Sequence, residues 1–328
     1  MFTRRAMLAS VIATPALARS RRVFRVAALF AGRIDDRGFM ESGYRGLELA
    51  RTRLGCATNF IQDVPPRPEA LAQALRTLAA DAPDLIIAHG GQNDASARAV
   101  AEAFPALRFV VTQGSATGPN LSSYEVVQEQ SAFLAGALAA LTTRTGVVGH
   151  MSGIRVTPGL KGRAAFVAGV RRIDPAIQVL TNFSGSQDDN PLSHRVATAM
   201  IDAKADILFT MLNTGRTGVT EACRARHVRQ IGNVIDWTRV APEIFVGSAV
   251  ADSGLGLFNA VADAAKGRFM PGVVRRIGLE DPQAVRLALA ATVDPAIRRR
   301  IAGLSADIVA GRLDVPTSYD GPEFPTPA

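Results

Sequence analysis

The chain has 328 residues, 48% hydrophobic and 20% charged, enough to build two domains with separate cores. Its formal charge of +8 comes far more from Arg than Lys. Those Arg residues are scattered without an aromatic-interleaved basic stripe, which argues against nucleic acid as a partner, and two Cys and four His without metal-ligand spacing argue against a zinc or iron site.

The amino terminus has the pattern of a targeting segment. Arg4 and Arg5 precede a short apolar run at 6–13 and an A-x-A-like site at Ala16-Leu17-Ala18. The run is too short to span a bilayer. Residues 1–18 are therefore expected to be a signal peptide, with a twin-arginine look around Arg4-Arg5. No Cys follows the run, so a lipid anchor is not expected, and the mature protein is expected in the periplasm.

From there the pattern alternates. Strands are expected at 23–30, 58–63, 84–88 and 107–112, with helices at 41–54, 68–80 and 94–104 between them. This β-α-β rhythm predicts a parallel sheet covered on both faces, with loops 31–39, 89–93 and 113–117 along one edge. A strand at 121–127 leads into an Ala-rich helix at 130–141 that is apolar nearly all round, so it is expected to be buried at a domain junction. The rhythm then restarts: strands at 146–151, 177–182, 206–211, 230–234 and 244–250, and helices at 158–171, 191–203, 216–227 and 254–266. Loops 152–157, 183–190, 212–215 and 235–239 would share the carboxyl edge of this second sheet. A helix near 295–311 and a Pro-rich coil end the chain. The expected class is α/β, with two doubly wound lobes whose loop edges face across a cleft. Cys56 and Cys223 fall in different halves and are expected to be buried and unpaired.

The densest site candidate is Gly32-Arg33-Ile34-Asp35-Asp36-Arg37-Gly38-Phe39, at the end of the first strand. Asp35 and Asp36 can accept from ligand N–H or O–H groups, or they can cap the following helix. Phe39 offers a flat apolar face. A dinucleotide site would need G-x-G-x-x-G here, and two carboxylates stand where a phosphate would sit. No P-loop, nucleophile elbow or Ser-His-Asp set appears, so no catalytic residue, metal or cofactor is expected. What remains suits recognition. Asp35, Asp36, Glu129 and Asp236 are acceptors, Gln92 and Asn213 both donate and accept, and Gly91 lies in the loop with Gln92. Trp237, beside Asp236 at a strand end, either stacks on a ligand or simply covers the sheet. Acceptors with stacking surfaces match a planar, nitrogen-rich, neutral ligand such as a purine base.

Four stretches, in this order, resemble the basic membrane protein family, the purine-nucleoside-receptor type of solute-binding protein of ABC importers. They are 32–46, 120–124 with 129–136, 146–149 with 166–169, and 205–208 through Thr214-Gly215 to Ile231-Gly232 and Asp236. The resemblance implies a type I periplasmic-binding-protein fold with a hinge. It implies lobes formed by 19–127 with about 244–275, and by 128–243 with about 276–328. It implies Asp35 and Asp36 at the base end of a ligand, Phe39 stacking, Glu129 on the base edge and Asp236 toward sugar hydroxyls. It also implies an inner-membrane ABC permease as partner, and a monomer is expected. The chain departs from the family at Met40, at 211–215, at Trp237 and at Ala251, where ribose binders usually carry Lys. Those changes favour a nucleobase or other small heterocycle over a full nucleoside. Two rival readings are a nucleoside-processing hydrolase and a ligand-sensing regulator body without a DNA-binding domain.

Overall fold

The computed structural model describes residues 22–36 and 38–327. The expected signal segment, 1–18, lies outside them. The first elements are β1 (Arg25–Phe30), α1 (Phe39–Leu54), β2 (Ala57–Ile61), α2 (Pro68–Ala80), β3 (Leu85–His89), α3 (Asp94–Ala103), β4 (Phe109–Thr112) and β5 (Leu121–Val126). Then come α4 (Gln128–Thr142), β6 (Val147–Ser152), α5 (Thr157–Ile173), β7 (Gln178–Phe183), α6 (Asn190–Asp202), β8 (Ile207–Met211), α7 (Arg216–Ala225) and β9 (Arg229–Val234). The chain closes with β10 (Phe245–Ala251), α8 (Ser253–Ala265), β11 (Val274–Ile277), β12 (Val285–Leu289) and α9 (Pro295–Val309).

The strands form two six-stranded sheets, ordered β11-β5-β4-β3-β1-β2 and β12-β10-β9-β8-β6-β7. All pairs are parallel except β10 with β12. Buried strand runs such as Leu85–His89 and Ile207–Met211 are what a sheet covered on both faces requires. The two expected lobes are these two sheets with their helices, and Cys56 and Cys223 are both free and buried.

The chain passes between lobes three times, at Val127, at Asp252 and over 278–284. These passages are hydrogen-bonded to one another: Val127 N donates to Ile277 O at 2.8 Å, and Asp252 N to Ala284 O at 2.8 Å. The expected assignment of 244–275 to the first lobe needs correction. β10 lies in the second sheet, between β9 and β12, and the first lobe regains the chain only at α8, which packs on α1. An apolar run such as Phe245–Ala251 reads the same in either sheet, and only pairing with β9 decides. The first lobe also keeps β11, so its last segment ends at Ile277. Neither β11 nor β12 is foreseen from the sequence. The Arg pair inside Val274–Ile277 breaks apolar alternation and suits an exposed edge.

α4 is buried along most of its length, as its all-round apolar pattern predicts. It meets α5 at backbone distance. A Cβ on Gly136 would stand 2.0 Å from Phe166 O, and one on Gly169 would stand 2.0 Å from Phe133 O. The same device joins α1 to α8, where a Cβ on Gly46 would lie 2.1 Å from Gly254 O.

The Pro-rich tail is expected as coil, and it is coil, but it is not loose on the surface. Phe324 N donates to Thr181 O at 2.7 Å on the edge strand β7, and Asn182 Nδ2 donates to Phe324 O at 2.9 Å. Glu323 accepts from both Arg155 and Arg163. The buried Arg163 guanidinium sits between the rings of Phe183 and Tyr319, 5.0 Å and 4.9 Å away.

Gly169→Ala should push α5 off α4 and destabilise the protein by about 1–3 kcal/mol. A urea midpoint equal to that of the unsubstituted chain would show that the helices do not depend on this contact.

Candidate ligand cleft

On the first lobe the cleft edge begins at the turn after β1. Asp36 is buried and points inward. Its Oδ1 accepts from Gly38 N at 2.8 Å and Glu41 N at 3.1 Å, and its Oδ2 from Met40 N at 3.1 Å. It therefore caps α1, whose first N–H groups have no partner within the helix. Burial is the largest influence on its carboxyl and raises its pKa, against the pull of those three N–H bonds. Asp35 turns the other way. Its side chain is 66% exposed and pairs with Arg33 at 2.8 Å. Of the two acids, Asp36 takes the capping role that the sequence left open and Asp35 is largely exposed.

Phe39 opens α1, half-buried, with its ring stacked on His89 at 4.2 Å between centroids and 21° between planes. His89 lies beneath rather than in the cleft. A carbonyl can only accept, so Nε2 carries the proton and donates to Phe39 O at 3.0 Å, and Nδ1 accepts from Thr112 Oγ1 at 2.7 Å. Burial pulls its pKa down from 6.5 to about 4, which keeps the ring neutral. His150, packed among Phe166, Phe183 and Phe209, is pulled down to about 3 by burial and the nearby Arg163 charge. Gly91 and Gln92 form a single 3-10 turn after β3, both half-buried, with Gln92 Nε2 reaching His89 O at 3.5 Å. Phe39, His89, Gly91 and Gln92 thus make one patch.

On the second lobe Asn213 follows β8 and meets the first lobe directly. A Cβ on Gly38 would lie 2.8 Å from Asn213 Oδ1. The end of β9 turns sharply. Val234 has φ +68°, an uncommon conformation for a β-branched residue, and Ile235 N closes onto Asn233 O at 2.8 Å. Asp236 then caps the short turn that follows, accepting from Thr238 N at 3.2 Å and Thr238 Oγ1 at 2.5 Å. Trp237 is buried. Its Nε1 donates to Asn233 O at 3.0 Å, and the Arg216 guanidinium lies 3.6 Å from its ring centre. Covering the sheet end is therefore a large part of its role, and the ring is not free on both faces to stack.

Between the lobes lies a cavity of about 440 Å³. Gly38, just before α1, and Glu41 and Ser42 of α1 face Ile235 and Trp237 across it, with Asp252 of the second passage at one side. Asp252 Oδ1 accepts from Ser42 Oγ at 3.0 Å and from Gly254 N at 3.0 Å. Trp237 is thus brought to the cavity, with Asp236 one residue away and Asn213 against Gly38. Glu129 is elsewhere, 4% exposed in the first turn of α4, 3.6 Å from Lys161. Burial is the largest influence on it and raises its pKa, while Lys161 works against that. Glu41, Ser42 and Asp252 were not picked out in the sequence. Glu41 and Ser42 fall there within the expected helix at 41–54, and Asp252 in the connection between the expected strand at 244–250 and helix at 254–266. Among the described residues no group of three or more His, Cys, Asp or Glu could hold a metal, and no helix is long and apolar enough to cross a membrane.

Residues 23–317 match the family model described as ABC transporter substrate-binding protein PnrA-like. Among curated relatives, basic membrane protein A of Borreliella burgdorferi is 22% identical, covering 91% of this chain and 89% of that one. The transcriptional activator protein med of Bacillus subtilis is 23% identical over 70% of this chain and 71% of its own. A purine-binding protein of Brucella abortus is 23% identical over 60% of this chain, and the match spans only 55% of that relative. A solved ABC transporter solute-binding protein from Aeropyrum pernix superposes with a TM-score of 0.80 at 19% identity, covering 90% of this chain and 94% of that one. At this identity the superposition speaks for the fold.

Two outcomes follow from the cleft edge. Asp36→Ala should cost about 0.5–2 kcal/mol of stability through the lost cap, while Asp35→Ala should leave the thermal midpoint unchanged; equal effects in calorimetry would refute the division of roles. His89 and His150 have folded pKa values below their unfolded ones, so the stability they give is complete above about pH 6.5 and is lost as pH falls toward 4 and then 3. Thermal midpoints should therefore drop steadily from pH 7 to pH 4, and His89→Gln should flatten that slope; an unchanged slope would remove His89 from the account.

Proposed function

Because the chain belongs to the Bmp family of ABC transporter substrate-binding proteins, we propose that it is an exported receptor for a purine base or similar flat nitrogen heterocycle. It takes that solute between its lobes and presents it to an ABC permease in the inner membrane. The observation that carries this reading is the cavity bounded by both lobes, lined by Trp237 on one side and by Ser42, the Glu41–Arg45 ion pair and Asp252 on the other. Acceptors next to an aromatic wall suit a neutral ring bearing N–H donors. A cavity of about 440 Å³ lies in the range of small-ligand pockets. The name of the Brucella relative points to the same ligand class.

In this reading Gly38, Glu41 and Ser42 supply the first-lobe wall and Ile235 and Trp237 the second, and a bound ligand would draw on Phe39, Gly91, Gln92, Asn213 and Asp236 from the flanking turns. Asp36 acts by holding the α1 start in place. No bond is made or broken. Ligand contacts to both lobes shift an open–closed equilibrium, and the closed form docks on the permease. Ala251 offers no charged donor to sugar hydroxyls, and the Trp237 ring takes up part of the cavity wall. Both favour a free base over a nucleoside. The name of the Bacillus relative favours a second reading, a ligand-sensing regulator body. Cell fractionation separates the two, since the receptor is expected in the periplasm.

Trp237 is the single Trp of the chain, so its fluorescence reports directly on this cavity. Titration with adenine or guanine should change the emission and saturate at least about tenfold lower in concentration than the matching nucleoside, a difference of about 1.4 kcal/mol. Tighter nucleoside binding would overturn the preference for a base. Silence toward every purine, in fluorescence and in calorimetry alike, would overturn the ligand class.

A further inference from the structure

Four charged side chains meet where the two lobes join on the hinge side. Lys161 of α5 places Nζ 2.5 Å from Glu125 of β5 and 3.6 Å from Glu129 of α4. Arg276 of β11 pairs with the other oxygen of Glu125 at 3.0 Å. The side chains of Lys161, Glu125 and Glu129 are 20%, 13% and 6% exposed, so water screens them little. Glu125 and Arg276 both belong to the first sheet, where they are register partners. Lys161 and Glu129 both belong to the second lobe. Each lobe therefore contributes one acid and one base, and the 2.5 Å bond is the one that spans them.

We propose that Lys161 is an exchangeable latch between the lobes, bonded to Glu125 when the cleft is closed and to Glu129 when it opens. Removing one partner of a buried ion pair normally strands a charge at a cost of several kcal/mol. Here neither side is stranded. On opening, Glu125 keeps Arg276, and Lys161 retreats to Glu129, its neighbour on the packed α4–α5 pair. The exchange gives two discrete arrangements, which a two-state hinge requires. A lysine fits the task. Its charge is compact and rides on a flexible stem, whereas the planar Arg fork favours one fixed bidentate partner. The latch acts on the empty protein and does not depend on which solute is bound.

The two acids then have opposite effects, which a purely structural cluster would not produce. Small-angle scattering of the full chain, freed of bound solute, reads the lobe separation through the radius of gyration. Lys161→Met removes the spanning bond and should raise the open population at least about threefold. Glu129→Gln removes the retreat position and should lower the open population. Circular dichroism checks that each variant is folded, and Lys161→Gln carries the same expectation should the Met variant fail. A Lys161 variant whose scattering matches the unsubstituted protein at low and high salt would overturn the latch. So would a Glu129→Gln protein that opens as the Lys161 variant does.

Discussion

The backbone contact between α4 and α5 is the constraint on which most of the second lobe rests. Gly136 and Gly169 let the two helices touch main chain to main chain, with no side chain between them. α4 leaves the first passage between lobes, and α5 leaves the cleft-edge loop after β6. Their contact therefore ties the hinge to the cleft rim as one rigid piece. It also places Glu129 and Lys161 on adjacent helix starts. Glycine is a weak helix former, and packing of this pair along most of its length outweighs that local cost.

The cleft follows a shared plan on both sides, in which acids next to the ligand space organise backbone. Asp36, Asp236 and Asp252 each accept from main-chain N–H groups that begin a helix or turn. The consequence is a rim of fixed turns with modest freedom to rearrange. The positive φ of Val234 belongs to the same plan, since it swings Ile235 and Trp237 into the cavity wall from the end of β9. Such a conformation persists only where neighbours hold it, and here the Trp237 indole N–H returns to Asn233 O.

Much of the fold can be read from residue patterns because the signals are local. Pro68 at a helix start, Gly55 in the left-handed conformation after α1, and the apolar strand runs each mark an element without reference to the rest of the chain. What was not legible depends on distant partners. β10 joins the second sheet only because β9 presents a free edge, and β11 is a strand only because β5 does. The site is harder for a further reason. Asp35 and Asp36 are the same chemistry one residue apart, and only the folded positions of the Gly38, Met40 and Glu41 N–H groups decide which turns inward. Trp237 poses the same problem, since a ring at a strand end has one pattern whether it grips a solute or roofs a sheet. The two doubly wound halves already implied a cleft, whereas the cavity-lining roles of Glu41, Ser42 and Asp252 depend on how α1 and the second passage come together.

The tail has a consequence beyond its own anchoring. An unpaired outer strand is a template on which another chain can add, and β7 ends the second sheet. By laying Phe324 along Thr181 and Asn182, and by fastening Glu323 to two arginines, the chain spends its own last residues on that rim. Addition of another chain at this border would first have to displace those residues.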